Sequence, residues 1–209
     1  MILTLDFPKR DALVFDVTEN KRSPGHVTDP MCRPDFMAAL QPHWKNGVVP
    51  WPFARLAGET ASGGKFHETQ KEQAISYLHY LLLARPDLYV AQGLLSSDKS
   101  VVFLFGIGGE VIRELEVEWV DEDLNKLLYA FIYRLYEPGR FADSTYTETE
   151  FDEETMARYT VKITRPGGTE ECPGSIPYMT EIHSQRAHIF SPTQTSATVS
   201  PYSKTNFAE

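Results

Sequence analysis

The chain of 209 residues lacks the features that mark several large classes of protein. No apolar run approaches the roughly 18 residues that a membrane-spanning helix needs, and no early apolar segment resembles a secretory leader. The two cysteines, Cys32 and Cys172, do not have the close paired spacing of a metal site. We therefore expect a reduced, soluble, intracellular protein, cytoplasmic or nuclear, with no membrane partner.

The chain also lacks an excess of basic residues over acidic ones. The formal net charge is −9, which disfavours a broad electrostatic attraction to nucleic acid or to an anionic membrane. The hydrophobic fraction of 42% is ordinary for a globular chain that buries a core. The length suits one domain, or one domain with a short extension.

Two glycine-rich segments lack the residues that would make them nucleotide-binding loops. In "ETASGGK", a phosphate-binding loop would require a glycine where Glu59 stands and a hydroxyl residue where Phe66 stands. In "GIGGEV", Val111 occupies the third glycine position of the dinucleotide fingerprint. We interpret the second segment as a hairpin turn, and we expect no nucleotide cofactor.

The hydrophobic periodicity predicts an α/β fold, a mixed central sheet of about five strands flanked by two helices. The first helix is predicted over 67–85, with Ile75, Leu78 and Leu82 in its buried stripe. The second is predicted over 121–136, with Asp121 as its N-cap. The strands are predicted from alternating or apolar runs at 12–18, 88–95, 100–107 and 111–119.

Composition divides the chain into four parts. We predict a compact α/β domain over 1–139, an acidic linker over 140–156, a β-rich extension over 157–190 and a mobile tail over 191–209.

One group of polar residues has an order that suggests chemistry. Asp35 opens one predicted strand, Glu59 ends the next extended segment, and Gln73 and Tyr77 lie one turn apart on the following helix. Two carboxylates at neighbouring strand ends can share Mg²⁺, which orients a phosphodiester and activates a bound water. Asp35 and Glu59 are therefore the candidate metal ligands.

The order Pro-Asp, then Glu, then Gln-x-x-x-Tyr over residues 30–95 resembles the RecB-like branch of the PD-(D/E)XK nucleases. The resemblance implies a restriction-endonuclease-like fold and a catalytic lysine two residues after the glutamate. Ala61 occupies that position, so Lys65 is the candidate for a lysine that has migrated along the chain.

A longer stretch resembles the fungal-type protein kinases of mushroom-forming fungi. The segments "RPDFMAAL", "VPWPFARLAGETASGGK", "QAISYLHYLLLARPDLYVAQGLLSSDKSVVFLFGIGG" and "LLYAFIYRLYEPGRFAD" are similar to the region that precedes their kinase core. "SQRAHIF" is similar to the start of the kinase small lobe. These residues contain no catalytic loop or metal-binding motif of a kinase, so we expect no kinase activity from them.

Two functions follow from these resemblances. The first is a non-catalytic accessory or interaction domain with a degenerate nuclease-like site and a protein partner. The second is a magnesium-dependent nuclease or phosphodiesterase that uses Asp35, Glu59, Lys65, Gln73 and Tyr77, with nucleic acid as its substrate.

Overall fold

The computed structural model describes residues 11–18, 23, 33–44, 48–107, 111–142, 146–152, 156–182 and 185–192. Within them lie ten strands: β1 Leu13–Val17, β2 Phe36–Leu40, β3 Leu56–Ala61, β4 Val90–Ser97, β5 Ser100–Ile107, β6 Val111–Glu118, β7 Tyr146–Asp152, β8 Met156–Arg165, β9 Gly168–Ile182 and β10 Gln185–Pro192. The α-helices are α1 Glu68–Ala84 and α2 Leu124–Tyr136. Three short 3₁₀ turns are Gln41–His43, Trp51–Phe53 and Gly139–Phe141.

The first six strands form one mixed sheet in the order β1-β2-β3-β4-β5-β6. Only the β3–β4 pair is parallel, and α1 connects these two strands, whereas every other neighbouring pair is antiparallel. The predicted α/β class with a mixed central sheet is confirmed, with six strands rather than about five.

Helix α1 packs very closely on one face of this sheet. Leu78, Leu81 and Leu82 are buried against it. A Cβ added at Gly93 would lie 2.7 Å from Leu78 Cδ2, and one added at Gly106 would lie 3.1 Å from Leu78 Cβ. The glycines of β4 and β5 thus make room for Leu78, and a larger residue at either position would force it to move.

The buried stripe of α1 differs in one position from the prediction. Ile75 is 37% exposed, whereas Ala74 and Tyr77 are buried with Leu78. The helix is rotated so that the tyrosine ring, rather than the isoleucine, completes the core beside Leu78.

Helix α2 covers part of the opposite face. The Phe131 ring packs against Phe103 and Phe105 of β5, with ring centroids 5.0 and 5.8 Å apart. Because successive strand residues point to opposite faces, Val102 and Leu104 contribute instead to the core under α1. The sheet therefore separates two apolar clusters.

The start of α2 also differs slightly from the prediction. Asp123 is the residue at the N-cap position, and its side chain makes no capping bond. Asp121 lies two residues earlier, where its Oδ1 accepts the backbone N–H of Asp123 at 2.8 Å. The aspartate expected to cap the helix thus stabilises the turn that leads into it.

The predicted β-rich extension is present as a second, four-stranded antiparallel sheet in the order β10-β9-β8-β7. Strand β7 lies within the segment 140–156 that was predicted as a linker, and it pairs with β8 from Tyr146 to Asp152. Ser191 and Pro192 belong to β10, and the rest of the predicted mobile tail lies outside the described residues. In the described part of the chain, no helix is long and apolar enough to cross a membrane.

A buried ion pair lies just after the end of α1, beside the segment that precedes β3. Arg85 is 1% exposed, and it donates to both oxygens of Asp87, from Nε at 2.8 Å and from Nη2 at 2.6 Å. Its Nη1 also donates to the Ala54 carbonyl at 3.0 Å. Burial acts to raise the pKa of Asp87, but the charge and hydrogen bonds of Arg85, together with the charge of Arg55, lower it on balance.

Removing the Asp87 charge should destabilise the fold strongly. Asp87→Asn removes the charge that accepts two hydrogen bonds from the buried Arg85 guanidinium, and breaking such a buried pair costs about 3–5 kcal/mol. Asp123→Asn is the matched control, because its partner Lys126 is exposed and exposed pairs contribute little. Urea unfolding of both variants measures the difference, and equal losses of stability would contradict this role for Arg85 and Asp87.

Candidate functional site

The backbone register brings Asp35 beside the end of β3. Phe36, the next residue, pairs with Gly58 in the antiparallel β2–β3 ladder. The Asp35 Oδ2 atom accepts two hydrogen bonds from Thr60, from the backbone N–H at 2.8 Å and from the hydroxyl at 2.6 Å. Asp35 therefore acts as an acceptor that ties the start of β2 to β3.

Glu59 lies under α1 and is only 6% exposed. Its Oε1 atom is 2.5 Å from the Tyr77 hydroxyl and 3.3 Å from Gln73 Nε2. The predicted spacing of Gln73 and Tyr77 thus does place both side chains on the same carboxylate. The structure brings together four of the five predicted site residues: Asp35, Glu59, Gln73 and Tyr77.

The Tyr77 hydroxyl is the centre of this network. It accepts from Gln73 Nε2 at 2.6 Å and lies 3.1 Å from the Arg33 carbonyl oxygen as well as beside Glu59. A phenol has one hydrogen to donate. If Glu59 is ionised, its carboxylate and the Arg33 carbonyl both compete for that hydrogen.

A proton on Glu59 removes this competition. The Glu59 hydroxyl can then donate to the Tyr77 oxygen, and Tyr77 can donate its own hydrogen to the Arg33 carbonyl. Buried polar groups are strongly selected to be hydrogen-bonded, because an unsatisfied one costs about 1–3 kcal/mol. The neutral form of Glu59 would thus satisfy both Tyr77 and the Arg33 carbonyl, whereas the bonds that Glu59 Oε1 accepts from Tyr77 and Gln73 stabilise the ionised form.

The surroundings of Glu59 shift its pKa in both directions. Burial raises the pKa of Glu59, and the nearby negative charge of Asp35 raises it further, whereas the hydrogen bond from Tyr77 opposes them. The net effect is a raised pKa. The influence of Asp35 on Glu59 also shows that the two carboxyl groups are neighbours.

Lys65 follows a glycine turn that lies close to the loop between β4 and β5. Gly63 and Gly64 have positive φ angles of 89° and 73°. The Gly63 N–H donates to Asp98 Oδ2 at 3.3 Å, and a Cβ at Gly64 would lie 2.9 Å from the Lys99 side chain. The turn thus approaches the β4–β5 hairpin. Lys65 itself is exposed.

Two further residues complete the site without having been predicted. Thr60 binds Asp35, and its carbonyl accepts from Gln70 Nε2 at 3.3 Å. Gln70 Oε1 accepts the backbone N–H of His67 at 3.0 Å, which fixes the first turn of α1. Strand alternation assigns Thr60 to the face opposite Glu59, so no periodic signal pointed to it.

As a magnesium site, the group supplies two adjacent carboxylates, Asp35 and Glu59. Among the residues that the structure describes, no cluster of three or more His, Cys, Asp and Glu side chains could hold a metal ion. Oxygen ligands are those that Mg²⁺ prefers, but the raised pKa of Glu59 disfavours the ionised form that binds a cation.

No family model matches the chain, and no curated protein or solved structure matches it.

Replacing Glu59 with glutamine should increase stability above the pH range in which a free glutamate ionises. A raised folded-state pKa means that the native state binds more protons than the unfolded state, so stability falls as pH rises from the ordinary pKa to the folded-state value. Each unit of elevation is worth about 1.4 kcal/mol. Glu59→Gln keeps an oxygen for Tyr77 and cannot ionise.

The measurement is the melting temperature of both proteins across pH. The advantage of Glu59→Gln should be small in acid and should grow with pH until Glu59 has ionised in the folded wild-type protein. Glu72→Gln on the exposed side of α1 is the matched control and should show no such growth. A Glu59→Gln advantage that is constant, or that shrinks with pH, would contradict the raised pKa.

Proposed function

We propose that this chain is a non-catalytic accessory or interaction domain with a protein partner, related to the N-terminal region of fungal-type protein kinases. The carboxyl groups of its nuclease-like site, Asp35 and Glu59, would then stabilise the fold rather than take part in catalysis. The observation that carries this proposal is the burial of Glu59, whose Oε1 accepts from Tyr77 and Gln73 while Tyr77 also lies beside the Arg33 carbonyl.

The position of the missing lysine supports the same proposal. In the nucleases that the order of motifs resembles, a lysine two residues after the glutamate polarises the attacking water. Ala61 is there, and it is 5% exposed. Its methyl group carries no charge or hydrogen-bonding atom, so it can neither polarise a water nor lower the pKa of Glu59.

The candidate substitute, Lys65, follows a turn held near Asp98 rather than near Glu59. In the described part of the chain, neither a hydrogen bond nor an ion pair joins Lys65 to Asp35 or Glu59. For Lys65 to act on a water at these carboxyl groups, the turn containing Gly63 and Gly64 would have to refold.

One observation favours the alternative, a magnesium-dependent nuclease. The charge of Asp35 raises the pKa of Glu59, as expected of two carboxyl groups that could share a cation. In that case Mg²⁺ would displace the proton, orient a phosphodiester and activate water. Nucleic acid is a partner under this alternative only, and Mg²⁺ would be the only cofactor.

The wild-type protein should not cleave single- or double-stranded DNA or RNA in the presence of Mg²⁺ or Mn²⁺. The raised pKa of Glu59 disfavours a bound cation, and Ala61 supplies no ammonium group for the attacking water. Gel electrophoresis of labelled oligonucleotides measures cleavage. Ala61→Lys, checked for folding by circular dichroism, supplies the missing ammonium group and is the variant in which cleavage could emerge.

Cleavage by the wild-type protein that disappears in both Glu59→Gln and Asp35→Asn would overturn the non-catalytic proposal. If Lys65→Ala abolished that cleavage as well, Lys65 would be the migrated catalytic lysine. Glu72→Gln is the control for contaminating nuclease, because activity that persists unchanged in all variants does not belong to these residues.

A further inference from the structure

In the described part of the chain, the two sheets end in four edge strands, β1 and β6 in the first sheet and β7 and β10 in the second. An edge strand can pair with a further strand through its outer backbone groups. Strands β7 and β10 each carry a register irregularity, which interrupts such pairing. On β1, the Leu13 N–H already donates to the Tyr136 hydroxyl at 2.6 Å. Strand β6 pairs with β5 without a shift over all eight of its residues, so it is the longest regular edge.

The hydrogen bond that ends the β5–β6 ladder shows which backbone groups of β6 point outward. The Trp119 N–H donates to the Lys99 carbonyl at 2.9 Å. In an antiparallel pair, every second residue of a strand bonds to its neighbour, so the odd-numbered residues of β6 bond to β5. The backbone N–H and C=O groups of Glu114, Glu116 and Glu118 therefore point away from β5, toward the open edge.

The side chains of the same three glutamates lie on one face of the sheet. Glu116 is opposite Val102 of β5, which belongs to the core under α1. Because every second residue of a strand points to the same face, Glu114 and Glu118 lie on that face as well, and all three are exposed. Leu115 lies on the other face and is 45% exposed. The open edge thus presents glutamates on one face and an apolar side chain on the other.

Lysines of α1 and of the β4–β5 turn neutralise this row of glutamates only in part. Lys71 of α1 lies 3.7 Å from Glu114. The Lys99 side chain extends past Gly64, in the turn that follows β3, and so away from β6. Among the described residues, no ion pair joins Glu116 or Glu118 to a basic side chain. A row of three carboxylates with one lysine beside it attracts a basic segment.

We propose that β6 binds an extended, basic segment of a partner protein, which adds to the sheet as a seventh strand antiparallel to β6. Lysines or arginines at every second position of this segment face the glutamates, and their backbone groups complete the outward hydrogen bonds. The apolar residues between them lie beside Leu115 on the other face. This proposal rests on the proposed interaction function, to which it adds a surface and a class of partner.

The row of glutamates disfavours a second copy of this chain as the partner. Two copies of β6 paired antiparallel about a two-fold axis would keep equivalent faces on the same side of the joined sheet. Glutamates of one copy would then stand opposite glutamates of the other, and like charges in that position destabilise the pairing. The same carboxylates repel the phosphates of a nucleic acid.

Amide hydrogen exchange, measured by nuclear magnetic resonance on the full chain at low ionic strength, tests the proposal. The probe is the peptide acetyl-Lys-Val-Lys-Val-Lys-Val-Lys-amide. In the free protein, the amides of Glu114, Glu116 and Glu118 should exchange faster than those of Arg113 and Leu115, which are bonded to β5. When the peptide occupies most of the protein, exchange at the three glutamate amides should slow about tenfold, because it then proceeds only from the unbound fraction.

Two control peptides separate strand addition from the attraction of charge alone. A peptide with methyl groups on the backbone nitrogens of its lysines keeps every positive charge but cannot donate to β6. It should not slow exchange at the glutamate amides. Acetyl-Glu-Val-Glu-Val-Glu-Val-Glu-amide keeps the alternation but carries the opposite charge, so it should not bind.

The main variant combines Glu116→Gln with Glu118→Gln. Both side chains are exposed, and glutamine keeps an oxygen that can accept from the Ser100 hydroxyl, as Glu116 does at 2.7 Å, so the fold should remain intact. The loss of two exposed charge pairs should weaken peptide binding about three- to tenfold. The matched control combines Glu68→Gln with Glu72→Gln on α1, which changes the net charge equally and should bind as the wild type does.

Four results would overturn the proposal. They are unchanged exchange at the glutamate amides with the lysine peptide, equal protection by the N-methylated peptide, equal binding by the two double variants, and protection in the free protein that grows with protein concentration. The last result would show that a second copy occupies the edge. The cleavage assays at Glu59 are independent of peptide binding at β6, so failure of this proposal and failure of the non-catalytic proposal are distinguishable.

Discussion

The close packing of α1 on the sheet is the constraint on which the candidate site depends. Gly93 and Gly106 let Leu78 approach the strands, and Tyr77, the preceding residue, is then buried completely. Its hydroxyl reaches Glu59 of β3 and the carbonyl of Arg33, which lies just before β2. Tyr77 therefore links α1 to two neighbouring strands. The position of α1 on the sheet determines which groups surround the Glu59 carboxyl group.

Burial determines what these carboxyl groups can do. Asp35 accepts hydrogen bonds from the backbone and the hydroxyl of Thr60. Glu59 is buried beside it, and burial together with the charge of Asp35 raises the pKa of Glu59. Both carboxyl groups are therefore bonded within the fold, although their order in the sequence alone suggests a metal site.

The sequence predicted the α/β class because the apolar periodicity of α1, α2 and β4–β6 is strong. It predicted that Gln73 and Tyr77 would meet Glu59 because i, i+4 spacing places both side chains on one helix face. It did not predict the rotation of α1 that exposes Ile75, since aromatic and aliphatic residues have similar hydrophobicity in such a pattern. It also missed β7, because an acidic, threonine-rich segment looks like a linker until its partner strand is known. The role of Thr60 depends on contacts between distant segments, which local patterns do not encode.

The central claim is that Glu59 is a buried structural group with a raised pKa rather than a metal ligand. The most direct measurement is the titration of its side-chain carboxyl carbon by ¹³C nuclear magnetic resonance, without and with millimolar Mg²⁺. The account predicts a pKa above the ordinary value for glutamate that Mg²⁺ does not change. A pKa at or below the ordinary value, or one that falls when Mg²⁺ is added, would contradict it.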